Sequence, residues 1–81
     1  MKKMILKLKY FGMIAEALSK EAEEIELNIT SIQELKDYLV NQNSVLDKLN
    51  FKIAVNHKLV DLDSKLNNND EVALLPPFAG G

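Results

Sequence analysis

Apolar and polar positions alternate near the start of the chain. Leu6, Leu8 and Tyr10 are separated by Lys7 and Lys9, the period of two that gives a strand one buried and one wet face. After Phe11-Gly12 the period lengthens. Met13, Ile14, Ala17 and Leu18, set among the helix formers Ala15 and Glu16, predict a helix of about two or three turns ending near Ser19-Lys20. Ile25, Leu27 and Ile29 then alternate with Glu24, Glu26 and Asn28, predicting a second half-buried strand. The acidic positions Glu21, Glu23, Glu24 and Glu26 read as a wet edge and loop that discourage further strand pairing.

Thr30-Ser31 followed by Glu34 is a capping-box signal: the serine accepts from a free backbone amide, and the glutamate reaches back to the cap's own amide. The main helix starts here and runs to about Asn41, with Ile32, Leu35 and Leu39 on one face, Tyr38 at its flank, and Gln33, Lys36 and Asp37 turned outward. Asn43 and Ser44 break it. Val45, Leu46 and Leu49 suit a short turn held by apolar contacts. Phe51, Ile53 and Val55 return to a period of two, and Asn56-His57 before Lys58-Leu59-Val60 predicts a tight hairpin, because asparagine tolerates the positive φ such turns need. Two polar turns follow, around Asp63-Ser64-Lys65-Leu66 and Asn67-Asn68-Asn69-Asp70. The last strand is Glu71-Val72-Ala73-Leu74-Leu75, whose apolar run suits a central strand covered on both faces. Pro76-Pro77 stops it, since neither proline can donate to a ladder.

The order β, α, β, α, β, β, β, with no repeat and no linker, predicts a single α+β domain in which a mixed sheet packs on one main helix. A length of 81 residues leaves no room for a second domain. A fold this small buries only about 60 to 65% of the surface its unfolded chain exposes, so the apolar 47% must build one core efficiently. The expected division is a globular part over residues 1–75 and a flexible tail over 76–81.

Composition narrows the chemistry. With no cysteine, the chain has no disulfide, thiolate metal site, cysteine nucleophile or cysteine persulfide. A formal charge of -2 lacks the basic footprint of a nucleic-acid binder, and all ten cations are lysines, so no planar arginine fork is present. Lys7 and Lys9 cut short the apolar run that follows Lys2-Lys3, so neither an export signal nor a membrane segment is expected and a cytoplasmic location is. The lone histidine, His57, falls in a predicted turn without the companions a metal ligand needs, and no metal site is expected.

Phe78-Ala79-Gly80-Gly81 follows the two prolines, and folding does not require it. Six extended residues at about 3.3 Å each project roughly 20 Å, more than the roughly 12 Å radius of gyration of a domain this size. Gly80 and Gly81 carry no Cβ, so the walls of a partner's active site can close around the backbone and leave the terminal carboxylate as the reactive group. Small terminal residues are also common without any role.

The stretch Asp70-Glu71-Val72-Ala73-Leu74-Leu75-Pro76-Pro77-Phe78-Ala79-Gly80-Gly81 resembles the ending of the MoaD family, the small sulfur-carrier subunits of molybdopterin synthase. Ala54-Val55-Asn56-His57-Lys58-Leu59-Val60 is similar to the family's hairpin. Residues 5–18, including Phe11 and Glu16, are similar to its opening strand and helix. The resemblance implies a ubiquitin-like β-grasp, in agreement with the pattern. It further implies that an E1-like adenylating enzyme consumes ATP to activate the Gly81 carboxylate, and that a sulfur donor protein displaces AMP to leave a thiocarboxylate. The large synthase subunit, in a heterotetramer with this chain, would then pass the sulfur to cyclic pyranopterin monophosphate. Pro76, Pro77, Phe78, Ala79 and Gly80 would form the inserted arm. No cofactor would be held permanently, and catalytic side chains would belong to the large subunit. Phe11, Leu59 and Leu75 match positions of hydrophobic contact with that subunit, although Leu59 and Leu75 are equally suited to filling the core.

Two departures from the family pattern stand out. Asn69 occupies a turn position where relatives commonly carry glycine, and Ala15 stands where relatives often carry arginine, shifting docking toward lysines such as Lys7, Lys9 or Lys58. A thiamin-pathway sulfur carrier and a ubiquitin-like modifier joined to lysines through Gly81 share the same terminal chemistry and are the alternative readings.

Overall fold

In the computed structural model, which describes residues 3–76, β1 (Met4–Tyr10) turns Leu6, Leu8 and Tyr10 inward and leaves Lys7 and Lys9 exposed, as the alternation predicts. Helix α1 (Gly12–Leu18) follows at once and buries Ile14 and Leu18, while Met13 stays exposed. Ser19 closes it in the left-handed region at φ 60, where its amide meets the carbonyls of Ala15 and Glu16. β2 (Ala22–Leu27) pairs antiparallel with β1 and forms one edge of the sheet, where Glu24 and Glu26 are exposed as expected; Glu23 departs from the wet edge, because the alternation turns it, half-buried, to the face where the Tyr10 hydroxyl meets it.

Helix α2 (Ile32–Gln42) starts where the capping residues predict. The Ser31 hydroxyl accepts from the Glu34 amide at 3.3 Å, and the Glu34 carboxylate reaches back to the Thr30 amide and hydroxyl, each at 2.9 Å. These bonds, the Thr30 amide first, hold the Glu34 carboxyl below its ordinary titration range. Ile32, Leu35 and Leu39 face the sheet. A 3₁₀ turn, Ser44–Lys48, then buries Leu46.

β3 (Lys52–Val55) and β4 (Lys58–Leu59) make the short hairpin. Its two-residue turn places Asn56 at φ 50 and His57 at φ 73, the double left-handed turn whose twist matches the flanking strands. β5 (Glu71–Leu75) enters the middle of the sheet, parallel to β1 and antiparallel to β3, giving the order β2-β1-β5-β3-β4. The mixed sheet covers α2 with one face. Its core unites Leu6, Leu8, Tyr10, Val72, Leu74 and Ile53 with Ile14, Ile32, Leu35, Leu39, Leu46 and Leu66. One expectation is corrected here: β5 is central but covered on one face only. Val72 and Leu74 point into the core while Glu71, Ala73 and Leu75 are half-exposed on the other side. The apolar run reflects an outer face kept apolar rather than a second buried layer.

The asparagine-rich turn does more than reverse the chain. The Asn68 side chain accepts from the Ile5 amide at 2.8 Å, and the Asn69 amide donates to the Ile5 carbonyl at 2.7 Å, with Asn69 left-handed at φ 70. Asp70, buried, accepts from the Asn56 amide group at 2.9 Å and the Asn67 backbone at 2.8 Å, and the Asn56 carbonyl oxygen in turn accepts from the Glu71 amide. The head of β5 is thereby tied to both neighbouring strands before its ladder begins. Within the core, the Tyr10 hydroxyl donates to the Glu23 carboxylate, and burial together with that bond pushes the phenol's titration well above its ordinary value.

Candidate functional site

Because β1 and β5 run parallel, their C-terminal ends lie side by side, with Tyr10 opposite Leu74 on the last rung. The chain leaving β1 passes through Phe11-Gly12 into α1, and the chain leaving β5 passes through Leu75 to Pro76. These two exits touch. Gly12 is left-handed at φ 56, and a Cβ placed on it would stand 3.1 Å from Pro76 Cγ. Pro77, Phe78, Ala79, Gly80 and Gly81, the rest of the expected arm and its reactive end, lie outside the described residues.

Across the sheet from α2, the outward positions of β1, β5 and β3 line a shallow groove of about 290 Å³. Phe11, Leu75, Ala73 and Ala54 supply its apolar part, and Lys9, Glu71 and His57 its polar end. Glu71 is shared there, with Lys9 Nζ at 3.4 Å and His57 Nε2 at 3.7 Å. Leu59, directly opposite Ala54 in the register, extends the apolar surface toward the β4 edge. There it lines a second groove of about 400 Å³ with Phe51, Val60 and Leu62, which reaches round the edge to Lys36 of α2 and to Ile53 of the core.

Neither leucine fills the core. Leu59 is 60% exposed, Phe11 is 45% exposed, and Leu75 is half-buried outside the core. Phe11 and Leu75 line one groove at the end from which Pro76 departs, and Leu59 lies beyond β3, opposite the groove's Ala54. Of the lysines weighed for docking, Lys9 lies in the groove, Lys7 shares its face one rung pair away, and Lys58 sits at the hairpin. His57 is solvated in its turn apart from Glu71. Pattern reading missed Gly12, Ala54 and Ala73. The alanines leave a signal, small residues at outward positions where lysine or glutamate is the usual choice, whereas the partner of Gly12 is 64 residues distant. The site offers apolar surface, a charged end formed by Lys9, His57 and Glu71, and an exit for the chain.

The model of the ThiS family matches residues 8–81. The chain belongs to this family. It is 28% identical over 81 residues to the molybdopterin synthase sulfur carrier subunit of Escherichia coli (strain K12), with 95% of this chain and 100% of that protein covered. A putative molybdopterin converting factor subunit 1 from Pyrococcus furiosus superposes with a TM-score of 0.86 at 24% identity, over 93% of this chain and 99% of that one, a likeness of fold. A chain from the complex of subunits 1 and 2 of molybdopterin-converting factor from Helicobacter pylori 26695 matches with a TM-score of 0.70 at 29% identity, over 96% of this chain and 100% of its own. The five-stranded mixed sheet around α2 is the ubiquitin-like β-grasp of this ThiS family member. No helix among the described residues is long and apolar enough to cross a membrane.

Proposed function

We propose that this protein is the sulfur-carrier subunit of a molybdopterin synthase, working in the cytoplasm. The observation that carries the reading is the apolar groove formed by Phe11 and Leu75, continued by exposed Leu59 at the β4 edge, beside the point where Pro76 leads into Pro77-Phe78-Ala79-Gly80-Gly81. Such a face seats a partner next to the entry of a narrow arm, and aromatic and apolar anchors carry most of the energy of such contacts. The full-length relative from Escherichia coli, which bears this function in its name, supports the reading. The Helicobacter pylori complex of two subunits supports a large-subunit partner.

The chemistry follows from the carboxylate. An oxide is a poor leaving group, so an E1-like enzyme transfers AMP from ATP to Gly81 and releases pyrophosphate. Sulfur at the sulfide level, delivered by a donor protein, then attacks the acyl carbon and expels AMP, leaving a thiocarboxylate. The large subunit passes that sulfur to cyclic pyranopterin monophosphate, water restores the carboxylate, and two rounds build the dithiolene. The chain itself holds no permanent cofactor in this cycle.

Intact-mass measurement tests the reading. The purified protein, incubated with ATP, a matched activating enzyme and a sulfur source, gains the mass of one oxygen-for-sulfur exchange, and deletion of Gly81 or addition of one residue after it abolishes the gain. No exchange with a competent activating enzyme overturns it. Capture of a thiazole synthase in place of a molybdopterin synthase large subunit would assign the chain to the thiamin pathway, and adducts on cellular lysines would make it a modifier.

A further inference from the structure

We propose that Gly12 is a positioning residue for the terminal arm: by presenting no side chain it seats the Pro76 ring and sets where the arm leaves the sheet. The inference rests on the sulfur-carrier reading and adds to it a residue outside the arm and outside the apolar face. A Cβ on Gly12 would meet three ring atoms of Pro76, Cγ at 3.1 Å, Cβ at 3.8 Å and Cδ at 3.9 Å. The first of these is tighter than an ordinary van der Waals contact, so one of the two residues must yield by a few tenths of an ångström.

Gly12 is the one held. The preceding carbonyl, that of Phe11, accepts from the amides of Ile14 at 3.1 Å and Ala15 at 3.4 Å at the start of α1. Gly12 is thus bounded on one side by Tyr10, 2% exposed in the core, and on the other by α1, of which it is the first residue, whereas Pro76 is anchored on one side only, by the end of β5. Displacement therefore falls on Pro76, the root of the arm. Its ring fixes φ, and a residue that precedes a proline is confined to extended backbone, so a shift of the ring is passed to the next peptide instead of being absorbed by local rotation.

The test compares Gly12→Ala with Gly12→Asn, each alone and combined with Pro76→Ala. Both substitutions add a Cβ, but asparagine tolerates the left-handed backbone far better, which separates the contact from backbone strain. A misplacement of about 1 Å can cost about 100-fold in rate, so a few tenths of an ångström predict a loss of roughly three- to tenfold. The loss is expected in kcat for thiocarboxylate formation, with KM, set by docking of the outer face, unchanged within about twofold. Pro76→Ala removes the opposing Cγ and restores the Gly12→Asn protein to the rate of the Pro76→Ala single variant. An unchanged kcat in Gly12→Asn, a loss without recovery in the double variant, or a loss that tracks thermal stability overturns the inference. Should wild-type protein fail to accept sulfur, the carrier reading falls while the seat is still decided by NMR. Cross-relaxation between Gly12 Hα and the Pro76 ring protons, with a changed Pro76 Cα–Hα residual dipolar coupling in Gly12→Asn, supports it, and their absence refutes it.

Discussion

Replacing Asp70 by alanine tests how the head of the central strand is held. Asp70 is 8% exposed and accepts from Asn56 Nδ2 at 2.9 Å and from the Asn67 amide at 2.8 Å, while Asn56 Oδ1 accepts from the Glu71 amide at 3.1 Å. Alanine strands two donors and frees Asn56 to leave its third partner. A hydrogen bond to a charged acceptor contributes about 1.5 to 3 kcal/mol. Both donors are only part-buried, so water entering the gap keeps each loss near the lower end, for a total of about 2 to 4 kcal/mol. A domain of this length has a stability of about 4 to 12 kcal/mol in all, which makes the change a large share of it. Urea unfolding followed by circular dichroism reads it directly: with a slope of about 1 kcal/mol/M, the midpoint falls by about 2 to 4 M at unchanged slope. Asp70→Asn keeps the shape but turns one acceptor into a donor facing a donor, and loses at least about half as much. In a double-mutant cycle, Asn56→Ala and Asp70→Ala are strongly non-additive, because the second removal finds its partner already gone. A loss below about 0.5 kcal/mol for Asp70→Ala, or additivity in the cycle, would refute the account and leave the turn backbone as what secures β5.

Leu59 and Leu74 should separate docking from folding. Leu59→Ala changes unfolding free energy by less than about 0.5 kcal/mol yet weakens binding to a molybdopterin synthase large subunit at least about tenfold by calorimetry, whereas Leu74→Ala, fully buried, costs about 2 to 5 kcal/mol of stability. The reverse assignment would place Leu59 in the core. The depressed Glu34 carboxyl predicts a pH effect. Its contribution is fully present above the ordinary glutamate pKa of about 4.3 and is lost as pH falls through the lower folded-state value. The thermal stability of wild type should therefore exceed that of Glu34→Gln near neutrality and converge with it in acid, and a gap that persists unchanged at low pH contradicts the role given to the Thr30 and Ser31 contacts.

Periodicity and turn chemistry made most of the fold legible. The alternation of Leu6, Leu8 and Tyr10, the Ser31 cap and the Asn56-His57 turn each encode their structure within a few residues and form as read, with Glu34 reaching back one residue further than expected, to the Thr30 amide. Local signals stop at the faces of the sheet. Val72-Ala73-Leu74-Leu75 reads as doubly buried, because an apolar run is the same string whether a layer or an unfilled surface covers its second side. The Asp70 network was hidden for a related reason: Asp70 and Asn56 are 14 residues apart, and a polar pair in two turns looks like two solvated turns until the strands close.

By itself the sequence determined the elements, their order, the family resemblance and the run Pro76-Pro77-Phe78-Ala79-Gly80-Gly81, because backbone propensity and covalent identity are local properties. Only the tertiary structure decided that Phe11, Leu59 and Leu75 share the outer face and that Gly12 lies against Pro76. Parallel pairing of the first and last strands brings together residues from opposite ends of the chain, and nothing in the neighbours of either residue specifies that register.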